Sequence, residues 1–128
     1  MAKRSELPPG LRLVALINGH LDEIMARERG NTGHAHLYCT GPYWVAFERS
    51  AFQLLRAIPD SEVMPMRLLS YPLLVVTATV SDSSLRRYSR KRIIELDNTE
   101  FVTIKLPTYT EPAYNEWHAR EVEGLPRL

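Results

Sequence analysis

Cysteine is nearly missing from this chain: Cys39 is the one thiol among 128 residues. An internal disulfide framework is therefore excluded, and the core has to hold by packing alone. Long apolar runs are also missing. The longest is Leu73-Leu74-Val75-Val76, continued by Thr77-Ala78-Thr79-Val80. At eight residues it suits a buried strand and falls far short of the ~20 that a membrane span needs. No secretory signal opens the chain, since Met1-Ala2-Lys3-Arg4-Ser5 runs into Glu6 and two prolines. The cytoplasm is the expected location, with no membrane partner. Charge of one sign is lacking too, for the formal net charge is +1. Binding of nucleic acid through bulk charge is thereby excluded, and any phosphate contact must come from local clustering.

What is present is the composition of one ordinary globular domain, 45% apolar and 24% charged. That length suffices for a real core. Residues 1–10 read as a flexible polar leader, and residues 11–128 as a single α/β domain. Leu13, Val14, Ile17, Leu21, Ile24 and Met25 recur at spacings of three and four, which predicts a helix over 11–29. Gly30 then stands where a left-handed residue ends a helix. Residues 34–40 and 43–47 read as two strands around Gly41-Pro42, a hairpin despite an unfavoured turn pair. A helix over 48–58 turns Ala51, Leu54, Leu55 and Ile58 inward. Met66 to Leu69 suit an edge strand, and Met64 and Met66 read as core fillers. Residues 73–80 form the strand expected at the centre of the sheet, covered on both faces.

Asp82 can cap a short helix over 83–90. Residues 93–96 and 101–106 suggest a second hairpin. A last helix starts at Thr110 or Glu111, takes Pro112 in its first turn and ends at Gly124. Short turns join strand pairs, so the expected fold class is α/β (α+β): a mixed sheet of about five to six strands flanked by three to four helices.

Chemistry is sparse. Signatures for nucleotide-binding loops, serine hydrolases and zinc proteases are missing, so the chain is not read as an enzyme and no cofactor is expected. Ser81-Asp82-Ser83 is better taken as helix capping. His34 and His36 share one strand face, with Cys39 and His20 near in sequence, but the spacing matches no closed zinc site. No metal is expected. The sharpest feature is Arg86-Arg87-Tyr88-Ser89-Arg90-Lys91-Arg92, in which five of seven residues are cationic. Clustered guanidinium groups with an interleaved tyrosine can hold phosphates and stack on a base. The plainer reading is a solvated helix end, where cations meet the helix dipole.

The segment Gly41-Pro42-Tyr43-Trp44-Val45-Ala46-Phe47-Glu48-Arg49-Ser50-Ala51 resembles the mismatch-recognition domain that opens MutS-type mismatch-repair proteins. Gly41, Tyr43, Trp44, Phe47 and Ala51 match that family's motif in type and spacing, and residues 80–88 are loosely similar to its strand end and following helix. The resemblance implies a mixed sheet with surrounding helices and contact with DNA or RNA. It puts Tyr43 at the position of the family's wedging aromatic. Val45 stands where the family has the Glu that bonds the displaced base, so no preference for mispairs is expected. Tyr43 and Trp44 for stacking, with Arg86, Arg87, Tyr88, Arg90, Lys91 and Arg92 for phosphate, make the expected nucleic-acid surface of a non-catalytic binding module. The competing expectation is a protein-interaction or accessory domain that kept the scaffold without the site.

Overall fold

A computed structural model describes residues 9–68, 74–90 and 101–125. Helix α1 (Pro9–Glu28) leads into strands β1 (His34–Cys39) and β2 (Tyr43–Phe47), then helix α2 (Arg49–Ala57). Strands β3 (Glu62–Arg67) and β4 (Leu74–Ser81), helix α3 (Asp82–Arg90), strand β5 (Phe101–Lys105) and helix α4 (Glu111–Glu123) complete the order. The expected sheet flanked by helices is present. It has five strands in the order β3-β4-β2-β1-β5, and every neighbouring pair runs antiparallel.

Period-two alternation divides the core into two layers. Ala35, Leu37, Trp44, Ala46, Val76, Ala78 and Val80 point to one face, where Ala51 and Leu54 of α2, Ile58 just after it, Leu85 of α3 and Tyr114 and Trp117 of α4 cover them. Tyr38, Val45, Phe47 and Val75 point to the other face and pack with Ile24, Leu13, Leu16 and Ile17 of α1. The strand at the centre is β2, not β4 as expected; β4 is one in from the β3 edge, yet its residues are buried on both sides. That agrees with its unbroken apolar run.

Boundaries moved where tertiary context outweighed pattern. Helix α1 starts at Pro9, two residues into the expected leader. Proline in a first helical turn forfeits no hydrogen bond, which explains the early start. The edge strand comes earlier than Met66–Leu69 and contains Pro65, which an edge position tolerates. Met64 is 53% exposed rather than core, because it stands on the edge strand beyond the cover of α1. Val14, expected on the inward stripe, is exposed as well. Gly30 has φ of 68°, as a left-handed helix end requires. Thr110 caps α4, its hydroxyl accepting the Ala113 N–H. The expected strand at residues 93–96 lies outside the described residues, as do residues 1–8 of the leader. Among the described residues, no helix is long and apolar enough to cross a membrane.

Amide hydrogen exchange should be slowest along β4, since its groups pair on both sides and are covered above and below. Val76→Asp should abolish the cooperative thermal transition, because it buries an unpaired charge at a cost of several kcal/mol.

Candidate nucleic-acid interface

The tip of the β1–β2 hairpin is tight. Thr40 donates its backbone N–H (2.9 Å) and its hydroxyl (3.2 Å) to the Tyr43 carbonyl, so Gly41 and Pro42 alone form the loop. Gly41 has φ of 102°, a positive value that favours glycine, and Pro42 follows with its fixed φ. The next two residues part company. Tyr43 is 46% exposed, whereas Trp44 is 2% exposed and sits among the α2, α3 and α4 contacts. Trp44 is therefore a core residue with no face open for stacking, contrary to the expectation from sequence. Val45, at the resemblance's Glu position, is fully buried on the α1 face.

Helix α3 begins directly beside this turn, where the Asp82 N–H donates to the Pro42 carbonyl at 2.8 Å. The helix is capped by Ser81, not by Asp82: the Ser81 hydroxyl accepts the Ser84 N–H. The Asp82 carboxylate instead accepts the Trp44 indole N–H (2.9 Å) and the Arg86 Nε–H (2.7 Å). Partial burial acts to raise the Asp82 carboxyl, but these two donors together hold it below its usual value. Arg87 donates to the Ser84 hydroxyl, and both arginines are exposed. Tyr88 is half-buried against the α2-side core. Arg90 is the last residue of α3, while Lys91 and Arg92 lie outside the described residues.

The expected surface is thus assembled only in part. Trp44 and Arg86 are joined through Asp82, but as anchor and helix, not as two contact groups. Strand alternation puts Tyr43 on the α1 face, whereas α3 packs on the opposite one. Tyr43 and the cationic helix therefore share one end of the sheet but point to different sides of it. One continuous surface does not include both.

The histidines are arranged as strand geometry dictates. His34 and His36 lie on one face with parallel rings 6.2 Å apart, and His36 Nδ1 is 2.9 Å from the Thr103 hydroxyl. Cys39, at an odd offset, faces the other side, and His20 is on α1 beside Glu23. Among the described residues, no three potential metal ligands converge.

A polar network at the N-terminus of α2 was not legible in the sequence. Buried Glu28, at the end of α1, accepts the Ser50 N–H (2.7 Å) and hydroxyl (2.6 Å). Burial outweighs these bonds and pushes its carboxyl up to about 7. Glu48 joins β2 to α2 with φ of 52°, a conformation rare for a side chain of its size. Its carboxylate meets His118 Nε2 at 2.6 Å and accepts from the Tyr114 hydroxyl at 3.4 Å. Next to it, Arg49 holds Glu111 through two parallel bonds of 2.6 and 2.7 Å and lies over the Tyr114 ring. That bidentate pair keeps the exposed Glu111 carboxyl below its usual value. No sequence signal distinguishes Glu48 from an ordinary residue at a helix entry. These side chains tie α1, α2 and α4 together.

Two stability measurements follow from this geometry. Trp44→Phe keeps an aromatic ring but removes the bond to Asp82 and part of the buried indole, so it should cost at least about 1.5–3 kcal/mol in chemical denaturation. The raised Glu28 carboxyl binds its proton more tightly folded than unfolded. It therefore contributes stability that is full below about pH 4.5 and is lost as pH rises through about 7. Glu28→Gln should flatten that decline, by roughly 3 kcal/mol between pH 4 and 8.

In comparisons with known proteins, the chain matches no family model, no curated protein and no solved structure.

Proposed function

We propose that the domain is a non-catalytic module that contacts nucleic acid through the cationic helix α3. The observation that carries this reading is the chain from Trp44 through Asp82 to Arg86. It fixes the first turn of α3 to the core, so Arg86 and Arg87 project from a rigid element with Arg86 half exposed. Positioned guanidinium groups can grip phosphate oxygens with two bonds each. The resemblance to a mismatch-recognition domain contributes only the kind of partner, DNA or RNA. Mispair preference is not part of the reading, since Val45 is buried and can form no bond to a base edge. The expected cytoplasmic location suits such a partner and leaves Cys39 a free thiol.

A protein-interaction role is the second reading, favoured by a different observation. A cleft of about 600 Å³ opens between α1 and the β3 edge, lined by Leu13, Val14, Ile17, Met66 and Leu68. Apolar side chains at a rim of this size suit a protein or peptide contact.

Mobility-shift titrations at several salt concentrations separate the two. Replacing Arg86, Arg87 and Arg90 with Ala should weaken binding to every sequence and flatten the salt dependence. No shift by the wild type even at low salt would remove the nucleic-acid reading and leave the interaction reading.

A further inference from the structure

On the side of the sheet that carries α2 and α3, two depressions share a wall. One, of about 250 Å³, includes Arg56, Ala57 and Tyr88 in its lining. The other, of about 470 Å³, includes Ala57, Tyr88, Ser84, Arg87 and Asp60. Both include Ala57 and Tyr88 in their lining, so they adjoin there as a two-part groove between the end of α2 and α3. Tyr88 lines both depressions, whereas Arg56 lines only the first and Arg87 only the second. We propose that this groove holds a single nucleic-acid strand, with a base against the Tyr88 ring and the flanking phosphates on Arg56 and Arg87. The proposal rests on the nucleic-acid reading above and adds a path, a stacking residue and a second helix to it.

The chemistry favours this occupant. An aromatic ring between two guanidinium groups matches the repeat of a single strand, in which planar bases alternate with singly charged phosphates. A duplex keeps its bases paired inside and cannot lay one on a half-buried ring without flipping it out. An acidic peptide would satisfy the arginines but has no planar group at every repeat for the tyrosine. Both arginines have their planes oriented by neighbours. Arg56 donates to the Gln53 side-chain oxygen at 3.4 Å and lies over the Phe52 ring, and Arg87 donates to the Ser84 hydroxyl at 2.8 Å. Asp60 puts one negative charge in the same groove, so a strand there binds against its repulsion.

That repulsion supplies a test that does not depend on damaging the fold. Fluorescence anisotropy with a labelled oligo-dT or oligo-U should show Asp60→Asn tightening binding several-fold at low salt. Arg56→Ala should weaken it about tenfold and reduce the salt slope by about one. Tyr88→Leu, which keeps an apolar group on the core, should remove the preference for single strand over duplex. If the triple replacement on α3 weakens binding while Arg56→Ala and Asp60→Asn leave it within twofold, the groove is overturned and the nucleic-acid reading survives. Equal binding of poly-glutamate overturns the assignment of the occupant. If no oligonucleotide binds at low salt, both fall together.

Discussion

One buried carboxylate sets the relation between the two layers. Glu28 ends α1, which covers one face of the sheet, and it holds the first turn of α2, which covers the other. Ser50 passes the constraint on, because its hydroxyl also accepts the His36 N–H of β1 at 2.8 Å. Asn31 closes the loop by bridging to His34 and Ser50. One open N–H of the helix start, that of Ser50, is thus satisfied by a side chain from the opposite layer. Moving Glu28 would move α1, α2 and the hydrogen-bonded edge of β1 together.

The same junction explains the unusual backbone of Glu48. A strand that enters a helix within one residue must turn sharply, and here the residue at the corner takes a positive φ. Such a conformation costs of order 1–3 kcal/mol and persists only where its surroundings fix it. The surroundings do so from three sides. The Glu48 N–H donates to the Val76 carbonyl at 2.7 Å, its carbonyl accepts from Phe52, and its carboxylate meets His118. The corner aims α2 along the sheet, which brings Arg56 toward Tyr88. A strained residue far from α3 thereby positions one end of the groove.

Much of the fold was legible because local rules and tertiary context agreed. The run from Leu74 to Val80 has no charged residue on either face, only β-branched threonines among apolar side chains, so burial on both sides followed. Thr110 and Pro112 marked a helix start whatever the helix packs on. The site was less legible, for physical reasons. Alternation says that Tyr43 and Trp44 point oppositely, but not which one meets the core. Packing decided it: on the α2 face the indole finds both apolar cover and a carboxylate for its N–H. The separation of Tyr43 from α3 follows from that choice of face, which depends on pairing β2 with β4 across 30 to 38 residues of sequence and is not encoded in any local window. Arg56 looked like one more exposed cation on a helix, because only the tertiary fold sets Tyr88 beside it.

The electrostatics of α3 decide how open its surface is to a ligand. Arg86 bonds to Asp82, but that pair is solvent-exposed, and such pairs contribute only about 0–1 kcal/mol. Exchanging one oxygen partner for another at Arg86 therefore costs little. Asp82 is different, since it also holds the buried Trp44 indole and stays in place when Arg86 leaves. The helix keeps its anchor while its guanidinium groups change partners. The phosphate contact proposed for α3 would draw on that combination of a fixed scaffold and an ion pair at its surface.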